Sequence, residues 1–279
     1  MKFTVEKDYE NMAVGDYLRK IKGISRRLLN KVKNQNLLYV NNTPVWANHI
    51  IKADDLIKIT FPISNSQNII AENLNVKIIY EDNDFLVLDK PYNMPPHPSK
   101  GHFMGTLANF VKYHYEKNGI STAVRILGRL DKDTSGVVIV CKNQHIQNKL
   151  SKLNYEKIYF AICEGVFENK KGIIDLPIAR SLDGIKREVN ENGKKALTEY
   201  EVTEEKCGYS LVKIKLITGR THQIRVHMSH IGHPLLGDFL YGNDSCFHRQ
   251  ALHAHMINIP EISFISPLSD DMKKFWDNL

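Results

Sequence analysis

Cysteine is scarce, with four in 279 residues. Cys141, Cys163, Cys207 and Cys246 lie far apart, with no Cys-x-x-Cys pair and no zinc-like spacing, which excludes a disulfide framework and the common cysteine zinc modules. Long hydrophobic runs are missing as well. None approaches the ~20 residues of a membrane span. Met1 to Asp8 contain no apolar leader core, so a cytoplasmic chain with no membrane partner is expected. Aromatic residues make up only 9%, which argues against a sugar site built from aromatic platforms. His222, His227, His230 and His233 form a run, but no carboxylate or cysteine stands near them at a zinc-site spacing. No metal is expected, and no internal repeat is found.

Positive charge is in excess, mostly at one end. The net charge is +7; residues 1–65 hold 11 Lys+Arg against 6 Asp+Glu, while the other 214 hold 27 against 25. A basic head on a near-neutral body suits a polyanionic partner, most simply nucleic acid. Seven basic residues and no acidic one fall between Arg19 and Lys33. Arg26, Arg27, Lys31 and Lys33 are therefore candidates for phosphate contact, although a charge run of this kind also serves as a solvated helix face.

Val14 to Lys20 and Ser25 to Gln35 read as short helices, with Ser25 as an N-cap. Leu37–Asn41 and Leu56–Phe61 read as strands. The polar stretch from Pro62 to Asn73 reads as a linker. The expected organisation is a small domain at 1–65, a linker at 66–73 and a larger domain at 74–279. In the larger domain Lys77–Tyr80 and Phe85–Leu88 are strands, followed by a proline-stiffened loop from Lys90 to Pro98. Helices are expected from Thr106 to Lys117 and from Asn143 to Leu153. Glu156 to Gly165 is apolar on both faces, as a central strand is. Residues 172–218 look like a run of strands with a basic exposed loop around Glu191-Asn192-Gly193. Thr221 caps a helix to Ile231, Leu252–His255 is a late strand, and Met272–Leu279 a closing helix. The fold class is α+β, with a mixed, largely antiparallel sheet and flanking helices.

The central stretch is Gly128-Arg129-Leu130-Asp131-Lys132-Asp133-Thr134-Ser135-Gly136, set between the apolar runs Ala123–Leu127 and Val137–Cys141. On spacing alone this is as well explained by turn chemistry as by a site. The string Arg-Leu-Asp-x-x-Thr-Ser-Gly resembles the signature of the RluA-type pseudouridine synthases. Thr218-Gly219-Arg220-Thr221-His222-Gln223-Ile224-Arg225-Val226-His227, continuing to Gly232-His233-Pro234-Leu235-Leu236-Gly237-Asp238, resembles that family's second signature. Glu156–Gly165 is similar to its Lys-x-Tyr-x-Ala motif, and Leu252-His253-Ala254 to its Leu-His-Ala. Gly128 stands where many members carry His. The head resembles the small RNA-binding domain named after a ribosomal small-subunit protein.

The resemblance implies isomerisation of uridine to pseudouridine in folded RNA by a monomer. Because substrate and product have the same atoms, no cofactor or metal is expected. It implies Asp131 as nucleophile, Arg225 as the cation that keeps it ionised, and Tyr159 as the wall that stacks on the base. Arg129 would fill the space of the turned-out base, and Arg220, His222 and Gln223 would contact the RNA. Ribosomal RNA of the large subunit is favoured over tRNA. Two rivals from other classes are a glycoside or nucleoside hydrolase using Asp131 and Asp133 as a carboxylate pair, and a non-catalytic RNA-binding protein.

Overall fold

The computed structural model describes residues 1–34, 36–60, 69–99, 103–153, 155–243 and 246–279; for Arg27 and Lys31 only the backbone is described. The head contains β1 (Lys2–Thr4), α1 (Val14–Asp16) running into a π-helical turn at Tyr17–Ile21, α2 (Arg26–Asn34), β2 (Leu38–Val40), β3 (Thr43–Pro44) and β4 (Leu56–Ile59). Its sheet order is β1-β4-β2-β3. The Ser25 hydroxyl accepts from the Leu28 N–H at 3.2 Å, so the expected cap forms. Leu28, Leu29 and Val32 of α2 pack with Val14, Tyr17, Leu18, Ile57 and Ile59 into a core of their own.

The basic run is less bare than its sequence window suggested. Asp16 pairs with Lys20 at 3.2 Å and Arg19 at 3.6 Å, and Glu6 pairs with Lys22 at 2.6 Å. Asp16 lies one helical turn before the window, and Glu6, just after β1, is brought to Lys22 by the fold of the head. Arg26 and Lys33 are exposed.

Most of the expected linker, residues 62–68, lies outside the described residues. Residues 69–73 are tied to the larger unit: the Glu72 N–H donates to the Asn109 carbonyl at 3.1 Å, and the Asn109 amide to that of Ile70 at 2.7 Å.

The larger unit contains β5 (Lys77–Glu81), β6 (Phe85–Lys90), α3 (Leu107–Lys117), β7 (Ser135–Cys141), α4 (Gln144–Lys152), β8 (Glu156–Glu164), β9 (Lys171–Asp175), β10 (Ile178–Arg180), β11 (Arg187–Val189), β12 (Leu197–Lys206), β13 (Tyr209–Leu216), α5 (Gln223–His230), β14 (Leu252–Ile259), β15 (Ile262–Ile265) and α6 (Asp270–Asp277). Thr106 and Asn109 form a reciprocal capping box on α3. A nine-stranded sheet runs β5-β6-β7-β14-β8-β13-β12-β9, with β15 on β14, while β10 and β11 form a separate hairpin. Among the described residues only β7 and β14 pair in parallel. Every residue of β7 is buried, as its unbroken apolar run requires. Ala123–Leu127 is not a strand: one bridge, Ile126 to Val140, joins this extended segment to β7. No helix among the described residues is long and apolar enough to cross a membrane.

The β7–β14 seam lies directly behind the central stretch. Gly136 faces Ala254 there, at φ +112°, and a Cβ on it would come within 2.2 Å of the Ala254 oxygen. Only glycine fits. Beside it the His253 imidazole is buried between the Ser135 hydroxyl, 2.9 Å from Nδ1, and the Ser266 carbonyl, 3.2 Å from Nε2. Burial pushes its pKa down to about 4. The folded protein therefore refuses a proton that the unfolded chain, with a histidine pKa near 6.5, accepts. Stability is expected to be full above pH ~6.5, to fall as pH drops from there to about 4, by up to about 3 kcal/mol, and to level off below. Urea titrations from pH 7.5 to 4.5 check this. His253→Gln should flatten the acid limb, and an unchanged limb would remove His253 as its cause.

Candidate active site

Asp131 sits in the turn that leads into β7, where the Thr134 N–H donates to the Asp131 carbonyl at 3.2 Å. Two buried cations hold this turn from below. Lys90, fully buried at the end of β6 opposite Gly136, donates through Nζ to the carbonyls of Pro91, Met94 and Lys132 at 2.8, 2.9 and 2.9 Å. Burial pulls the Lys90 ammonium down to about 7, against the opposing charges of Asp133 and Asp131. Its three partners are all acceptors, which match the three N–H groups of the charged form. Arg249 donates to the Asp133 carbonyl at 3.0 Å while its Nε binds Asp271 at 2.7 Å. The turn is thereby latched to the start of α6.

Across the turn, Arg225 projects from the first turn of α5. Its Nη1 lies 3.2 Å from Asp131 Oδ2, while Nε and Nη2 form a fork with Asp238 at 2.6 and 2.7 Å. Asp238 is fully buried. Its Oδ1 also accepts from the Leu240 and Tyr241 N–H groups. Burial works against the guanidinium charge, but the hydrogen bonds and charge of Asp238, then of Asp131, outweigh it and raise the Arg225 pKa. A permanently charged arginine, aimed by one carboxylate, thus faces another.

His222 forms a further contact, with Nε2 3.9 Å from Asp131 Oδ2. The Tyr241 hydroxyl accepts from the Arg187 N–H at 2.8 Å and lies 2.8 Å from His222 Nδ1. Burial lowers the His222 pKa, consistent with a neutral ring. Tyr159, on β8 between Ile214 and Ala254, is buried and its hydroxyl pKa is raised by that burial.

Two expectations for α5 need correction. Thr221 is not its cap; His222 occupies that position in a left-handed conformation, with φ 56°. The Thr221 hydroxyl instead accepts from Arg129 at 2.9 Å. Gln223 is not available to RNA. It is buried, with its oxygen accepting from Thr218 and the Arg220 N–H and its amide donating to Leu197 and Thr198. Its side chain instead ties the loop before α5 to Leu197 and Thr198 of β12.

Asp131, Tyr159 and His222 line a cleft of about 680 Å³, together with Arg129, Lys157, Arg180, Arg187, Lys194 and Arg220. Among the described residues Asp131 is the only carboxylate in it; Asp133 does not line it. No group of three or more His, Cys, Asp or Glu among the described residues is placed to hold a metal. Two members of the histidine run are absorbed by the fold: His227 bonds Thr198 and the Leu176 carbonyl, and His233 stacks on Phe167 at 3.7 Å.

One carboxylate at the floor of a cleft of cations is the layout of an enzyme acting on a polyanion. Comparison with known proteins gives the class. Residues 84–230 match the family described as RNA pseudouridylate synthase. The chain is 37% identical over 272 residues to the uncharacterized RNA pseudouridine synthase YjbO of Bacillus subtilis, covering 95% of this chain and 94% of that one. It is also 37% identical over 276 residues to ribosomal large subunit pseudouridine synthase D of Blochmanniella floridana, covering 86% and 85%. Among solved structures, human RNA pseudouridylate synthase domain containing 1 aligns with a TM-score of 0.59 and 29% identity, over 69% of this chain and 83% of that one. The chain belongs to the RNA pseudouridine synthase family and is an isomerase of RNA.

Sequence reasoning placed Asp131, Tyr159 and Arg225 together. It missed Asp238, Tyr241, Lys90 and Arg249. Asp238 lay inside a quoted motif without a role. Lys90 carried only a lysine–proline signal, and Arg249 carried none.

Proposed function

We propose that the enzyme converts uridine to pseudouridine in large-subunit ribosomal RNA, with Asp131 as the nucleophile. The observation that carries this is the Asp238–Arg225–Asp131 line: a buried, aimed guanidinium 3.2 Å from the one carboxylate of a basic cleft. Arg225 favours the ionised carboxylate, which adds either to C1′ of the ribose or to C6 of the base. The N1–C1′ bond breaks, the uracil turns, C5 joins C1′, the bond to Asp131 breaks to return the free carboxylate, and the C5 proton is lost as N1 gains one. Tyr159 stacks on the base. The target must be turned out of its helix to reach Asp131, and Arg129, exposed at the rim, takes the vacated space. Arg220 and His222 complete the walls.

The choice of RNA rests on the name of the Blochmanniella relative, with tRNA as the second candidate. A hydrolase with an Asp131/Asp133 pair is disfavoured because Asp133 lies outside the cleft. The test is to incubate the purified protein with total RNA from a strain lacking it and to map new pseudouridines. New sites in tRNA alone would replace the rRNA reading. Release of free uracil would replace the isomerase reading.

The head, residues 1–65, acts in this proposal as a separate RNA-binding domain, on its own core and sheet. Replacing Arg26, Arg27, Lys31 and Lys33 together by Gln is expected to make the slope of log affinity against log salt shallower by about 2 to 4 units. Filter binding from 50 to 300 mM salt measures it, and an unchanged slope would reduce the run to a solvated face.

A further inference from the structure

We propose that Lys157, seated over the ring of Tyr155, is a phosphate subsite for the RNA backbone that flanks the target uridine. The inference rests on the cleft being the RNA site. Lys157 and Tyr159 are two residues apart on β8 and so share one face of the strand, Tyr155 lies just before it, and all three line the cleft. Two residues along a strand is about 6.6 Å. The sugar–phosphate beside a base at Tyr159 therefore passes over Lys157.

The state of Lys157 indicates what it is for. Its ammonium lies 4.6 Å from the centroid of the Tyr155 ring. No carboxylate among the described residues forms an ion pair with it, although most other inward-leaning lysines have one, such as Lys142 with Glu81 at 2.8 Å. Burial lowers its pKa. A cation taken partly out of water without a counter-charge is costly, and an aromatic face holds it in place without neutralising it. The missing anion is then supplied by the ligand. A compact ammonium is suited to a single phosphate oxygen rather than to planar recognition of a base. Two glycines stand beside this pair. A Cβ on Gly219 would lie 3.9 Å from Lys157 Nζ, and one on Gly128 4.0 Å from the Tyr155 hydroxyl. Neither glycine presents a side chain that would compete for the ammonium. Gly128, the departure from the commoner His, thus opens onto this subsite.

The test uses the full-length protein and a short RNA hairpin carrying the target uridine, with binding measured by filter retention at several salt concentrations. Lys157→Met is expected to weaken binding several-fold and make the salt slope shallower by about 0.7 to 1 unit, one phosphate contact. In turnover the loss should appear in KM rather than in kcat. Tyr155→Phe, which keeps the ring, should keep the wild-type slope, whereas Tyr155→Leu should follow Lys157→Met because the ammonium loses its seat. Lys117→Met, an exposed cation on α3 outside the cleft, serves as the charge control. An unchanged slope in Lys157→Met overturns the subsite, as does a fall in kcat with the slope intact. Binding is read without turnover, so a wild type that makes no pseudouridine would sink the proposed reaction while leaving this inference to its own result.

Discussion

Asp131→Asn is expected to abolish pseudouridine formation, by more than about 10⁴-fold, the scale on which loss of a nucleophile is felt. RNA affinity should stay within a few-fold. The substitution is nearly isosteric, and the backbone bond from Thr134 to the Asp131 carbonyl does not involve the side chain. Arg225 keeps its fork with Asp238, so no buried charge is stranded and the melting temperature should change little. What is lost is the charged oxygen that attacks. Asp133→Asn, outside the cleft, should retain most activity because the residue contributes its carbonyl, not its carboxylate, to Arg249. Single-turnover assays on a target hairpin, with filter binding in parallel, measure both. An active Asp131→Asn, or the reverse order of effects, would end the nucleophile assignment.

The elements that read correctly from sequence are those whose local pattern and tertiary setting agree. β7 and β8 are apolar on both faces and lie inside the sheet; Thr106 and Asn143 cap α3 and α4 through the N–H groups of Asn109 and Ile146. Ala123–Leu127 failed because β7 already has β6 on one side, while β14 takes the other at Ser135 and Gly136. The segment runs beside β7 only beyond that point, bonding at Arg125 and Leu127. Thr221 failed because His222 turns left-handed and takes the N-cap position, while the Thr221 hydroxyl is used by Arg129, 92 residues earlier. The trio Asp131, Tyr159 and Arg225 was legible through its motifs, but the reason it works was not. A Gly-Asp pair after an apolar run reads as a turn, and nothing local says that its carboxylate will end buried against an arginine 13 residues earlier. Lys90 and Arg249 pose the same difficulty: the partners of Lys90 are backbone carbonyls, which are the same at every position in a sequence, and the carboxylate that holds Arg249, Asp271, lies 22 residues away.

Asp238→Asn is expected to cost about 3–5 kcal/mol of stability, the cost of stranding one member of a buried ion pair, or roughly 10 °C in Tm. The amide turns an N–H toward the guanidinium where a carboxylate oxygen had accepted at 2.6 or 2.7 Å. It also withdraws the anion that aims Arg225, so the folded fraction should turn over poorly as well. Arg225→Met strands the opposite charge, leaving Asp238 with only its backbone donors at Leu240 and Tyr241, and removes the cation beside Asp131. Each single variant should therefore be unstable and nearly inactive. The double variant is the discriminating one. With both charges gone the pocket holds no stranded ion, so it should be more stable than the sum of the two losses predicts, by about 2 kcal/mol or more. It should remain inactive, because Asp131 still lacks its cation. Thermal melts and single-turnover assays on the three proteins decide it. Simple additivity would mean that the fork contributes little to stability, and recovered turnover would mean that Asp131 does not depend on Arg225.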